Sequence, residues 1–323
     1  MAKKIVVLGT GGTIAGRATS AGDNLGYTAA QVGIAELLAG IPALAGTEVV
    51  SEQVAQIDSK DMDFATWSAL ARRCAHWLAE AEVAGIVVTH GTDTLEETAY
   101  FLQAVLAPAK PVVITCAMRP ATALAPDGPQ NVLDAVTAAR SGFPGVVAVC
   151  AGVVHSARDV QKTHTYLLDA FGSGDAGPLG YVEEGSVRWT HGMPAAAAPE
   201  FPGVLVKAAA GGAWPRVEIV MNYAGASGEV VRALRAQGVA GLVVAGTGNG
   251  TLHHDLEAAL LEAQAAGIEV VRATRCLGAR VLPHAGDRLP DSLGLTPVKA
   301  RVALLLRLLA KTGGPSGPAG VGG

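Results

Sequence analysis

The sequence predicts an α/β protein built as two α/β domains with mainly parallel sheets. Three observations carry that expectation. Short apolar runs alternate with longer amphipathic stretches along the chain, the pattern of strand–helix–strand crossovers. Hydrophobic residues make up 50% of the total but are spread over many short segments, as strands buried on both faces require. The length of 323 residues exceeds one ordinary domain and points to about two.

Taken in order, the strand-like runs are KIVVLG (4–9), EVVSEQV (48–54), GIVVTH (85–90), PVVITC (111–116) and GVVAVC (145–150). Helices are expected over 64–82, where Trp67, Leu70, Cys74, Trp77 and Leu78 share one face, and over 95–107 and 130–141. Residues 178–192 read as a short hairpin. The Ala/Pro-rich MPAAAAPEFPG (193–203) has no apolar periodicity. It places a linker at 193–212, between an N-terminal domain (1–192) and a C-terminal domain (213–312). The alternation then resumes with VEIVMNY (217–223), GLVVAG (241–246), IEVVRAT (268–274) and a last helix over 297–311. The Gly/Pro tail 313–323 cannot bury a core and is expected to be disordered.

Composition excludes several classes of partner. Lys plus Arg total 24 against 28 Asp plus Glu, a net charge of −4. No basic stripe with interleaved aromatics is present, which argues against nucleic acid. No apolar run approaches the roughly 20 residues of a membrane span. The opening MAKKIVV runs straight into a strand without a signal-peptide pattern, so the expected location is cytoplasmic. Cys74, Cys116, Cys150 and Cys276 are scattered without CxxC spacing and read as buried free thiols. His253 and His254 read as exposed helix residues, so neither metal nor cofactor is expected.

Ligands of open parallel sheets gather outside the carboxyl ends of the strands. There the first strand delivers Thr10, Gly11, Gly12 and Thr13, and the third delivers His90, Gly91, Thr92, Asp93 and Thr94. Arg158, Asp159, Lys162 and Thr163 follow the fifth. The glycine-rich loop fails the dinucleotide fingerprint, because Ile14 takes the sixth position of Gly9-Thr10-Gly11-Gly12-Thr13-Ile14 and no Asp or Glu ends a second strand near the ribose-binding distance. No Gly-Lys-Ser/Thr follows, so a Walker loop fails too. Two glycines before Thr13 instead allow close approach of a substrate and free N–H groups for an oxyanion. A threonine hydroxyl needs a base or a polarising hydrogen bond to attack. Thr92 beside Asp93, and Lys162, offer such groups. Each also has a structural reading, since Thr and Asp favour helix N-caps and a lysine after a strand commonly meets water.

TGGTIAG (10–16) and GIVVTHGTDTLEETAYFL (85–102) together resemble the two signature motifs of the bacterial-type L-asparaginase family. The resemblance continues through AMRP (117–120), DGPQN (127–131), GPLGY (177–181) and GTGNG (246–250). It implies hydrolysis of L-asparagine to L-aspartate and ammonia without a cofactor, with L-glutamine as the alternative substrate. A catalytically dead amino-acid-binding relative is the rival from another class. The resemblance also implies a homotetramer built from close dimers. By motif position Thr13 would be the nucleophile, assisted by Tyr27 from a mobile loop over 14–28, with Thr92 the alternative for the covalent bond. Thr92, Asp93 and Lys162 form a second hydroxyl–base group, and the substrate lies against Gly12 and Gly91. Ser59 binds the α-carboxylate and Asp93 the α-ammonium, while Asn249 reaches the site of the neighbouring subunit. Two positions depart from the family pattern. Lys60 stands where Gln or Glu is usual, and Gly286 with Asp287 stands near the usual intersubunit Glu. Both changes are expected to tune affinity or the balance of asparagine against glutamine without abolishing hydrolysis, with Lys60 counted among the substrate-binding residues and expected to face the α-carboxylate or else solvent.

Overall fold

The computed structural model describes residues 3–20, 22–209 and 213–311. The chain divides into two compact units, Met1–Glu200 and Phe201–Gly323. The tail expected at 313–323 lies outside the described residues, as do 210–212 of the expected linker.

The first unit holds strands β1 (Lys4–Gly11), β2 (Val49–Ile57), β3 (Val83–Thr89), β4 (Pro111–Thr115), β5 (Gly145–Cys150) and β6 (Val153–Ser156). Next come the two-residue strands β7 (Gln161–Lys162) and β8 (Phe171–Gly172), then β9 (Gly180–Glu183) and β10 (Ser186–Trp189). Its helices are α1 (Ile34–Ala39), α2 (Phe64–Ala79), α3 (Leu95–Leu106) and α4 (Gly128–Arg140). Eight strands make one sheet in the order β10-β9-β6-β5-β4-β3-β1-β2. The run from β5 to β2 is parallel. Ile5, Val6, Val7 and Leu8 of β1 are fully buried, as are Ile86, Val87 and Val88 of β3. Helices cover both faces of such strands, which therefore read as continuous apolar runs.

The antiparallel edge turns on positive-φ pairs. Ala151-Gly152 (φ 49° and 75°) joins β5 to β6, and Glu184-Gly185 (φ 45° and 75°) joins β9 to β10. Two-residue loops with both φ positive have the twist that antiparallel hairpins need. Helix α2 starts where the Asp63 side chain accepts the Thr66 N–H at 2.7 Å, and it buries Trp67, Leu70, Ala71 and Cys74.

The second unit contains α5 (Val204–Ala209), β11 (Val217–Met221), α6 (Glu229–Ala236), β12 (Gly241–Gly246), α7 (His254–Ala265), β13 (Glu269–Thr274) and α8 (Pro297–Lys311). Its three strands are parallel in the order β11-β12-β13. Val220, Leu242, Val244, Leu256, Leu260 and Val270 form the centre of its core. The stretch expected to be linker is not wholly so. It contains α5, whose Lys207 donates from Nζ to the Ala310 carbonyl of α8. A short helix docked on α8 belongs to the second unit, and low apolar periodicity hid it. A second correction concerns the thiols, because Cys74, Cys116 and Cys150 are buried but Cys276 is exposed.

Strand order brings two distant loops together. β1 and β3 are neighbours in register, with Gly9 opposite Thr89. The loops leaving their carboxyl ends therefore meet, although Gly12 and Gly91 are far apart in the chain.

Candidate active site

At the end of β1 the backbone bulges, with the register shifting between Gly9 and Gly11. Gly11 and Gly12 take φ 105° and 82°, a region L side chains rarely adopt. A β-carbon on Gly12 would sit 2.3 Å from the Cα of Gly91, and one on Gly91 would sit 2.4 Å from Ser59 Oγ. Backbone is thereby packed on backbone where the two loops cross. Thr13 opens a single 3-10 turn and is buried. Its Oγ1 lies 2.7 Å from Tyr27 Oη. The loop that carries Tyr27 is pinned at its base, where Arg17 and Thr28 exchange both backbone hydrogen bonds at 2.9 Å. Arg17 also pairs with Glu36.

Beyond β3, the N-cap of α3 is Thr94 and no side chain caps the helix. Thr92 and Asp93 are thus not held as caps, and the structural alternative for them lapses. Both face Lys162 of β7. Its Nζ donates to Thr92 Oγ1 at 2.8 Å and to Asp93 Oδ1 at 2.6 Å. Thr92 Oγ1 stands 3.4 Å from the same Asp93 oxygen. The Lys162 backbone N–H donates to Glu96 Oε1 at 3.3 Å, which ties β7 to the first turn of α3. A shared cation of this kind fixes a hydroxyl and a carboxylate relative to each other.

Ser59 is buried on a 3-10 turn, Ser59–Asp61, that Asp58 caps. Its Oγ accepts the Asp93 N–H at 3.2 Å, and its carbonyl accepts the Thr94 hydroxyl at 2.8 Å. Lys60, the next residue, turns its ammonium to Asp58 Oδ2 (2.8 Å) and Asp61 Oδ2 (3.0 Å). Hydrogen bonds to these two carboxylates raise its pKa.

The first unit therefore brings together Gly12, Thr13, Tyr27, Ser59, Gly91, Thr92, Asp93 and Lys162. Asn249 lies in the second unit, where its Nδ2 donates to the Leu282 carbonyl at 3.0 Å and its Oδ1 accepts the Leu282 N–H at 2.7 Å. Gly286 likewise lies there, and the adjacent Asp287 is paired with Arg272 at 2.5 Å. The His284 N–H and then Arg272 hold the Asp287 carboxyl below the usual range. His253, His254 and Asp255 bring ligand atoms within 4.8 Å of one another. Their geometry is that of a helix start, with His253 Nδ1 accepting the Asp255 N–H at 3.3 Å.

Sequence reasoning assigned no role to the fully buried His90. Trp67 Nε1 donates to Thr98 Oγ1 at 2.9 Å, and Thr98 Oγ1 lies 2.9 Å from His90 Nε2. His90 Nδ1 is 2.7 Å from the Gly91 carbonyl. A carbonyl only accepts, so the proton sits on Nδ1 and Nε2 accepts from Thr98. Burial pushes the imidazole down to about 4, against the hydrogen bond to Gly91. The available signal was Thr98, further along the same motif.

Two α/β units, with paired hydroxyl loops at the carboxyl ends of parallel strands, have the layout of an α/β amidohydrolase. Residues 4–195 match the family described as asparaginase, N-terminal, and residues 216–316 match the glutaminase/asparaginase C-terminal domain. The chain belongs to the bacterial-type asparaginase/glutaminase family. It is 39% identical over 313 residues to L-asparaginase 2 of Escherichia coli (strain K12), covering 94% of this chain and 88% of that one. It is 38% identical over 319 residues to the glutaminase-asparaginase of Pseudomonas fluorescens biotype A, covering 94% and 86%. The crystal structure of a probable cytoplasmic L-asparaginase from Campylobacter jejuni superposes with a TM-score of 0.86 at 37% identity, covering 95% of each chain. Among the described residues no helix is long and apolar enough to cross a membrane.

Proposed function

We propose that this chain hydrolyses the side-chain amide of L-asparagine to L-aspartate and ammonia through an acyl-enzyme on Thr13. The observation that carries the reading is the hydrogen-bonded group Thr92–Lys162–Asp93 set against the Thr13 loop at the Gly12–Gly91 contact. Thr13 Oγ1 attacks the amide carbon. Tyr27 Oη, 2.7 Å away, takes the hydroxyl proton while passing its own to the leaving nitrogen. A backbone N–H at the crossing of the two loops receives the charge on the carbonyl oxygen, that of Gly12 being given to the Ile57 carbonyl. In the second half water attacks the ester, and its proton returns to Thr13 along the same relay. Thr92 and Lys162 orient that water and polarise it. Ser59 takes the α-carboxylate and Asp93 the α-ammonium, opposite charges needing partners set apart.

Ammonia release with Thr13→Ala and Thr92→Val tests this. Loss of turnover in Thr13→Ala, with no acyl adduct by mass spectrometry, is expected. Full turnover in both variants overturns the threonine mechanism, and an adduct on Thr92 moves the nucleophile there. L-glutamine is the second reading, favoured by the likeness to a glutaminase-asparaginase; kcat/KM for the two amides decides between them. A homotetramer and cytoplasmic residence belong to the same proposal, the second supported by the Campylobacter jejuni neighbour's description. Sedimentation and cell fractionation check them.

A further inference from the structure

Cys116 and Cys150 take no part in the proposed hydrolysis. Cys116 follows β4 and Cys150 closes β5, and the parallel register, with Ile114 opposite Ala148, sets the two side by side. Their Sγ atoms stand 3.3 Å apart, and both residues are buried. The surrounding backbone is braced. Asn131 Nδ2 donates to the Cys116 carbonyl, and Asn131 Oδ1 accepts the Ala151 N–H, both at 3.0 Å. Thr115 Oγ1 donates to the Val149 carbonyl at 2.8 Å. The same end of β4 supports the site, because the Thr115 carbonyl accepts the His90 N–H at 2.9 Å, just before Gly91 and Thr92.

We propose that Cys116 and Cys150 are a disulfide-forming pair beneath the catalytic loops, closed by a small oxidant of the peroxide class, and that closure lowers turnover. One sulfur gives its proton to water and attacks a peroxide oxygen. The O–O bond breaks, the departing hydroxide is protonated, and a sulfenic acid remains. The second sulfur then attacks the first, the S–O bond breaks, and water leaves with the second thiol's proton. Two thiols and one hydrogen peroxide thus give one disulfide and two waters. The hydrogen bond with Cys150 and burial push the Cys116 thiol well above its ordinary value, so closure is slow. Bonded sulfurs stand about 2.0 Å apart. Closure therefore brings the two sulfurs together by roughly 1.3 Å, starting from 3.3 Å, and loads the braced ends of β4 and β5. A shift of about 1 Å near reacting groups costs up to about 100-fold in rate.

The effect on turnover rests on the proposed function, whereas the bridge itself does not. The test uses the full chain carrying Cys276→Ser, which removes the exposed thiol. After hydrogen peroxide, denaturing alkylation and digestion without reductant, a Cys116–Cys150 linked peptide is expected, with Cys74 still alkylated. Ammonia release from asparagine should fall roughly tenfold or more and return with dithiothreitol. Cys150→Ala in the same background should keep its activity through the treatment. Alkylated Cys116 and Cys150, sulfinic acid at either, or a linked peptide with unchanged turnover overturns the proposal. An untreated protein that releases no ammonia refutes the proposed function, while peptide mapping still decides the disulfide. The mapping needs no variant at either cysteine, so a poorly folding Cys150→Ala leaves it decisive.

Discussion

Gly12 and Gly91 touch backbone to backbone: a β-carbon on Gly12 would lie 2.3 Å from the Cα of Gly91 and 2.4 Å from its nitrogen. This contact joins the loop of Thr13 to the loop of Thr92, and it exists because β1 and β3 are adjacent in the sheet. Gly12→Ala adds both a clash and a side chain at φ 82°. Backbone strain and overpacking together should cost roughly 2–5 kcal/mol. A lowered thermal midpoint and lost ammonia release are expected. Wild-type values for both would show that the loops can part without consequence.

Lys162 is the shared donor to Thr92 and Asp93. Lys162→Met keeps the length of the stem but removes the ammonium. Turnover should fall by about 10²–10⁴-fold, with the far-UV circular dichroism unchanged. Lys162→Arg should not restore it, because a planar guanidinium cannot reproduce a compact ammonium's two contacts. Restoration by arginine would reduce Lys162 to a generic positive charge.

How much of the fold and site was legible in the sequence depends on the distance over which each feature is decided. The strands KIVVLG and GIVVTH were plain, because burial on both faces leaves an uninterrupted apolar run. The last helix was plain too, matching Pro297–Lys311 at both ends. Motif residues Thr13, Thr92, Asp93 and Lys162 could be named, but only the family resemblance grouped Lys162 with Asp93, since a bond that spans 69 positions leaves no local pattern. The His90–Thr98–Trp67 chain was hidden for the same reason, as Trp67 read only as one of an apolar face. Lys60 differs in the opposite way. Its family position pointed to substrate, whereas in the structure Asp58 and Asp61, close by in the same turn, hold the ammonium. Helix α5 escaped because its six residues, Val204–Ala209, are too few to show a period beside an Ala/Pro-rich stretch.

Lys60 yields a bounded prediction. Its side chain is 61% exposed and bridges two carboxylates of the turn that carries Ser59. Exposed pairs of this kind contribute little. Lys60→Gln should therefore change KM for asparagine by no more than about fivefold and leave the asparagine-to-glutamine ratio near its starting value. A larger change in the ratio would mean that the ammonium leaves its partners when substrate binds.

His90 makes the fold sensitive to mild acid. Burial lowers its imidazole from 6.5 to about 4 in the folded chain. Between those values the unfolded chain binds the proton and the folded one does not, so acid favours unfolding. The stability contributed by neutral His90 is present in full above pH 6.5. It is lost as pH falls toward about 4, by roughly 3 kcal/mol in all. His90→Gln keeps an amide donor near the Gly91 carbonyl but has no group to titrate. Above about pH 7 the variant should be the less stable, because one amide cannot hold Gly91 and Thr98 from two sides as the ring does. On going down to about pH 4.5 the gap in thermal midpoint should narrow, because only the wild type loses the His90 contribution. Parallel midpoint curves across this window would mean that His90 titrates alike in the folded and unfolded chains.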